Sequence, residues 1–293
     1  KELITTHKLE PKETIIATHG TWRYATLWGA SFAKLGFKWV YTPHGMLEPW
    51  SLQQKAFKKK VYLALRELPA AKKAHAIRAV GSPERDNLLK LFSEVLVIPN
   101  GISMPNLLEK NYGENRNFLF MARLHHKKGI VPLVQAWKAS TLFKNAKYQL
   151  HIAGPDDGEL QEVLSLSTGK DSNITYHGAV YGSSKIRLLQ ACEFYVLPTQ
   201  SEGFPTSVVE ALGNRLLAIM TEGCNFPEAM EKSFCLKTDT SVEGIKNSLE
   251  RAITIPTTDL ISRGIDARDF IAENYTIESI AKTQMELYTE LLN

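Results

Sequence analysis

Short apolar runs that end in glycine or proline recur along the chain. The first third holds TIIATHG (14–20), KWVYTPHG (38–45), AHAIRAVG (74–81) and EVLVIPNG (94–101). The rest holds NFLFMAR (117–123), YQLHIAG (148–154), ITYHG (174–178), EFYVLPT (193–199) and LLAIMT (216–221). Most are continuous rather than alternating, the pattern of strands covered on both faces. Segments with helical spacing, such as IVPLVQAWKAS (130–140) and SKIRLLQAC (184–192), lie between them. Strand then helix, repeated, predicts βα units on parallel sheets and an α/β fold.

The pattern divides after Gly101. Residues 102–116 are poor in strand signals and rich in Asn, Gly and charge, which predicts a linker. One domain is expected over 1–101 and a second over 117–275. Residues 276–293 read as an amphipathic packing helix, with Ile277, Ile280, Ala281, Met285, Tyr288 and Leu292 on its apolar face; it could cross back to the first domain. Two parallel-sheet domains facing each other would set their strand C-terminal ends around a cleft, where ligands bind.

Composition narrows the class. The chain has 293 residues, 44% of them hydrophobic and 23% charged, enough apolar material for two ordinary cores. A net charge of +4 suits an anionic ligand or surface without specifying one. The three cysteines are far apart and odd in number, which argues against a disulfide framework and for a reducing, cytoplasmic setting. No apolar run reaches the roughly 18 residues of a membrane span. The start, KELITTHKLE, has no signal-peptide character and no initiator Met, so a trimmed chain is expected. Nothing resembles a zinc finger, an aromatic stacking sheet or a basic recognition motif, so nucleic acid is not an expected partner.

The polar residues worth weighing are those just after each strand: His19, His44, Arg123, Gly154, His177 and Glu202. In FMARLHHKKG, Arg123 follows a strand and Lys127 and Lys128 stand at the mouth of the next helix. That arrangement suits a diphosphate, although a solvated basic loop would read the same way. In SEGFPTSVVEALGN a sharp turn through Gly203 and Phe204 leads to Pro205, which can open a helix carrying Val208, Val209 and Leu212 whose first amides could face a phosphate. Glu202 precedes the turn and Glu210 lies within the helix. Either carboxylate could accept bonds from vicinal hydroxyls of a sugar or a ribose, or simply favour the helix dipole. The pair Asp156–Asp157 sits in a Gly-Pro turn and reads as a loop, and no Asp-x-Asp strand end or zinc-spaced cluster suggests a metal.

Taken together these motifs resemble the retaining glycosyltransferases of family 4, a GT-B fold group whose signature is two glutamates separated by seven residues, as Glu202 and Glu210 are. The resemblance spans essentially the whole chain. It implies that Arg123 and Lys128 hold the donor diphosphate, and that the nucleotide lies along Gly154, His177, Gly178 and the turn Gly203–Thr206. It further implies that Glu202 orients the transferred sugar, Glu210 holds the ribose, and His44 of YTPHG contacts the sugar from the first, acceptor-side domain. The implied reaction is metal-independent transfer of a sugar from a nucleotide donor, UDP-sugar or else GDP-sugar, to a glycan or lipid-linked acceptor in polysaccharide or lipopolysaccharide biosynthesis, with no cofactor. Glu202 and Glu210 share one turn-helix unit and cannot straddle a sugar ring as glycosidase carboxylates do.

Two departures stand out. The family's opening βα portion with its glycine-rich loop is expected to be missing from this chain or greatly reduced. Arg215 and Leu217 also stand where the family usually has glycine and proline. The rivals are a GT-B nucleotide-sugar epimerase and a non-catalytic nucleotide-sugar-binding subunit. Finally, residues 55–78 carry eight Lys or Arg and one Glu, interleaved with Phe57, Val61, Leu65 and Leu68. This stretch could lie peripherally on an anionic membrane.

Overall fold

The computed structural model describes residues 6–22, 24–54, 56–107, 112–167 and 172–293. The chain forms two compact units, 1–101 with 277–293 and 102–276.

In the first unit four parallel strands lie in the order β1-β2-β3-β4: Ile15–His19, Lys38–Thr42, Ala76–Ala79 and Leu96–Val97. Trp39 and Tyr41 of β2 are fully buried. Helix α1 (Tyr24–Ala33) approaches β2 so closely that a Cβ on Gly29 would overlap the Trp39 ring, so a glycine is needed there. The other side of the sheet is covered by the C-terminal helix Ile277–Leu292, but through Leu287 with Ile280, Tyr288 and Leu291. Ile277, Ala281 and Met285, expected on the packing face, are exposed. The true stripe is rotated because Val40, Ala76 and Ile98 offer the apolar surface on that side.

The basic stretch 55–78 also differs from a single surface helix. Lys55 lies outside the described residues. Helix α2 (Ala56–Tyr62) continues as a π-helical turn, Leu63–Glu67, and a short helix Leu68–Ala71. The wide turn brings Glu67 inward, where its carboxylate accepts bonds from Thr26 Oγ1 (2.5 Å) and Tyr41 OH (3.0 Å). Arg78 is buried in β3 and donates to the carbonyls of Ile98 (2.8 Å) and Pro99 (2.7 Å), so it is no part of a surface stripe.

The second unit is a six-stranded parallel sheet in the order β10-β9-β8-β5-β6-β7. Its strands are β5 Arg116–Met121, β6 Tyr148–Ala153, β7 Ile174–Tyr176, β8 Phe194–Leu197, β9 Leu217–Met220 and β10 Cys235–Lys237. The last has no counterpart among the apolar runs of the sequence, being three residues long. Burial on both faces accounts for the continuous apolar runs of β5, β8 and β9. Ile102, expected in a linker, is buried in this core and its N–H bonds Tyr275 O at 2.8 Å. The three cysteines, all in this unit, are buried and form no disulfide. Burial raises the thiols of Cys224 and Cys235, the latter to about 11.

Candidate active site

Strand order fixes where a ligand can sit. From β5 the chain proceeds through β6 to β7 on one side, and β8 returns to the other side of β5. The loops after β5 and β8 therefore diverge above a topological switch point, the usual ligand crevice of an open parallel sheet.

The β5 loop is tightly held. Leu124 N–H bonds Pro155 O (2.9 Å), and Lys127 N–H bonds the His125 ring at 3.1 Å, capping the 3-10 turn His126–Lys128. Helix α3 (Ile130–Ala139) then follows Gly129. The β8 loop is stitched to it, since Gln200 N–H (2.9 Å) and Thr199 Oγ1 (3.0 Å) both donate to Lys127 O. Glu202 N–H is anchored on Gly223 O at 2.7 Å.

This scaffold brings Lys128 and Glu202 together across 74 residues of sequence. The Lys128 ammonium contacts both carboxylate oxygens, at 2.6 and 2.7 Å, and both side chains are largely buried. A second pair lies in the same unit. Lys185, in helix α4 (Gly182–Gln190), donates to Glu210 Oε1 at 2.6 Å, and Glu210 projects from helix α5 (Thr206–Gly213). Each glutamate of the seven-residue spacing thus has its own lysine. Lys185 was not singled out from the sequence, where it reads as an ordinary helix lysine.

Arg123 is mostly exposed and pairs with Asp157. The Asp156–Asp157 turn is therefore more than a loop: Asp156 Oδ1 also accepts from Gly158 N–H (2.9 Å) and Leu160 N–H (3.2 Å), ordering the start of the helix Leu160–Ser167. Gly154 closes β6 with its N–H on Gly178 O (2.8 Å) and φ of +146°, pressed against the Ala122 carbonyl. His177 N–H bonds Ile152 O (2.9 Å), and its ring meets His151 at 3.0 Å. Burial and His177 lower His151 to about 4, so the pair is uncharged near neutrality. In the turn before α5, the Phe204 ring packs with Phe226 and Tyr275. Pro205 O accepts from Val208 and Val209, and Thr206 N–H bonds Phe204 O. Arg215 takes the left-handed conformation, φ +64°, at the position where a glycine was expected, and Leu217 simply opens β9.

In the first unit His44 follows β2 with φ of +55°. Glu84 fixes the turn by accepting from Gly45 N–H (2.5 Å) and Val80 N–H (2.8 Å). His44 Nε2 lies 2.7 Å from His19 Nδ1. Burial first, then His19 and Arg78, lower His44 to about 4. Both strand-end histidines are thus joined in one neutral pair.

Chemically, the second unit offers cations and carboxylates side by side at a switch point, fit for an anionic ligand that also carries hydroxyls. Among the described residues no cluster of three or more His, Cys, Asp or Glu side chains is placed to hold a metal ion, and no helix is long and apolar enough to cross a membrane.

Residues 108–267, over half the chain, match the family described as Glycosyl transferases group 1. A segment of 108 residues is 32% identical to the N,N'-diacetylbacillosaminyl-diphospho-undecaprenol alpha-1,3-N-acetylgalactosaminyltransferase of Campylobacter jejuni, covering 36% of this chain and 27% of that enzyme. The match thus spans about a quarter of that relative's length. Among solved structures, sucrose-phosphate synthase from Thermosynechococcus elongatus superposes with a TM-score of 0.78 at 18% identity, over 99% of this chain and 76% of that one. HepE from Anabaena, solved with UDP and glucose, gives 0.75 at 17% identity, over 99% and 80%. The fold is that of the GT-B glycosyltransferases, two parallel-sheet domains.

Proposed function

Because the chain belongs to the glycosyl transferases group 1 family, we propose that it moves a sugar from a nucleoside diphosphate donor, a UDP-sugar in the first instance, to a hydroxyl of a lipid-linked glycan. The observation that carries this reading is the doubled Lys–Glu arrangement beside the β5–β8 switch point. The family 4 assignment, with Glu202 and Glu210 as its paired glutamates, is part of the proposal.

The leaving group is a nucleoside diphosphate, so negative charge develops on its β-phosphate as the sugar bond breaks. An ammonium has three N–H donors. Lys128 commits two to Glu202, which leaves a third for a phosphate oxygen, with Arg123 as the second cation. Preorganised donors of this kind are each worth about 3–4 kcal/mol in the transition state. Glu202, held rigidly by Lys128, would accept from hydroxyls of the transferred sugar, and Glu210 from the ribose. The acceptor oxygen would attack C1 on the face from which the phosphate leaves. Its proton would pass to the departing β-phosphate oxygen, and configuration at C1 would be retained. In the first unit, His44, whose ring is fixed by His19 and whose turn is fixed by Glu84, is offered as a contact for a sugar hydroxyl. The segments around Gly154, His177, Gly178 and Gly203–Thr206 are assigned to the nucleotide.

The test is an incubation of the purified protein with UDP-, GDP- and ADP-sugars and a polyprenyl-diphosphate-linked sugar, followed by NMR of the product anomer. We expect transfer with retention, unaffected by EDTA because Lys128 and Arg123 supply the cationic charge. Sugar isomerisation without acceptor would identify an epimerase. Donor binding without turnover would identify a binding subunit. Loss of activity on chelation, restored by Mn²⁺ or Mg²⁺, would end the metal-independent reading.

The lipid-linked acceptor is supported by the name of the Campylobacter relative, which acts on an undecaprenol-borne sugar. It is also supported by a surface suited to an anionic bilayer. Phe57, Val61 and Leu65 follow one another at helical spacing and are 82%, 43% and 71% exposed. No residue of α2 is buried, and Lys58, Lys60 and Arg66 stand exposed around this stripe. Lys59 differs, being tied to Ser51 and the Trp22 ring. This surface supports the reading of peripheral attachment to the cytoplasmic face of a membrane. The double change Lys58→Gln with Lys60→Gln should weaken sedimentation with phosphatidylserine vesicles by about 1 kcal/mol per charge, while transfer to a soluble acceptor analogue persists. Unchanged sedimentation would leave a soluble acceptor as the better assignment.

A further inference from the structure

The proposed reading leaves Lys185 without a role. Its ammonium sits 2.6 Å from Glu210 Oε1, with both side chains partly shielded from solvent. Lys185 is the one side-chain partner of Glu210 among the described residues, and it reaches Oε1 alone. The contrast with Lys128, which grips both oxygens of Glu202, is informative. Glu210 keeps Oε2 for something else.

The geometry points to Lys185 as a positioning residue for the nucleotide. It holds Glu210 by one oxygen and so presents the other to the vicinal ribose hydroxyls. This inference rests on the assignment of Glu210 to the ribose. The chemistry favours such a partner. A carboxylate on a helix can adopt several rotamers, and a fixed ammonium selects one of them in advance. Lys185 is supplied by a helix that follows β7, and Glu210 by one that follows β8. The carboxylate is therefore set by two separately anchored elements rather than by its own helix alone.

The prediction is specific to the sugar of the nucleotide, not to its charge. Isothermal titration would compare UDP with 2′-deoxy-UDP in the wild-type protein and in Lys185→Met, Lys185→Arg and Glu210→Gln, with circular dichroism confirming the fold. The wild type should prefer UDP by about tenfold, the scale of one charge-assisted hydrogen bond. Lys185→Met should lose most of that preference by weakening UDP while leaving 2′-deoxy-UDP within about twofold. Lys185→Arg, which can still pair with Oε1, should restore much of it. If Lys185→Met keeps the wild-type preference while Glu210→Gln abolishes it, the role of Lys185 is wrong and that of Glu210 stands. If Glu210→Gln also keeps the preference, the ribose assignment fails and takes this proposal with it. Should UDP not bind, the same comparison is made with the GDP and ADP pairs. Failure of all three to bind overturns both.

Discussion

Replacing Glu202 by Gln lowers turnover about 100-fold to 1000-fold while nucleoside diphosphate affinity falls by less than tenfold; this is the largest functional effect we expect. The carboxylate is nearly inaccessible and both of its oxygens are engaged by Lys128. An amide of the same size can offer that ammonium one acceptor, and its NH2 group would face a cation. On the proposed assignment, Lys128 would then lose the geometry that offers its third N–H to the β-phosphate, and the sugar would lose a charged acceptor for its hydroxyls. The first loss weakens one contact to the diphosphate, which the small fall in affinity reflects, and the second bears on the transferred sugar alone. Steady-state kinetics with the donor, set beside calorimetry with the nucleoside diphosphate product, separates the two. A loss of nucleotide affinity equal to the loss of kcat/KM would place Glu202 on the nucleotide and refute its assignment to the sugar.

Changing Gly154 to Ala destabilises the second unit by about 3 kcal/mol, combining left-handed strain with overpacking. It should lower the melting temperature by roughly 6–12 °C for a unit of this size. The backbone there has φ of +146°, a region other residues rarely enter, and an added Cβ would collide with the Ala122 carbonyl. Relief requires the β5 loop to move, and that loop leads straight into Arg123. Calorimetry should therefore show lower stability together with weaker nucleoside diphosphate binding in whatever fraction remains folded. A variant with wild-type melting temperature would show that the Ala122 loop yields without cost.

The strands were legible because parallel sheets covered on both faces leave uninterrupted apolar runs, and Phe118–Met121 and Phe194–Leu197 carry that signal strongly. Three-residue β10 carries too little. The glutamate pair and the cations after β5 were legible from spacing and from the resemblance it supports. Their partners were not, since Lys128 meets Glu202 across 74 residues and Glu67 meets Thr26 across 41. Such contacts are made by topology, and local periodicity carries no trace of them. The same holds for the face of the C-terminal helix. Its hydrophobic stripe is broad, and only the position of Val40, Ala76 and Ile98 selects Leu287 over Met285. Arg215 shows the reverse case, a residue that looked incompatible with its turn yet adopts the glycine-like backbone itself.

The three cysteines give the molecule a built-in reporter. The thiolate is the form that reacts, and in the folded chain all three sulfur atoms are shut away, two of them with their protons held more tightly than in a free thiol. A cysteine introduced on an exposed face would therefore be the single point of attachment for a fluorophore, with no need to remove the native ones. All three belong to the six-stranded unit and none to the four-stranded one. Alkylation of a native cysteine consequently clocks the opening of the six-stranded sheet alone, reading the dynamics of one half of the molecule while the other stays silent.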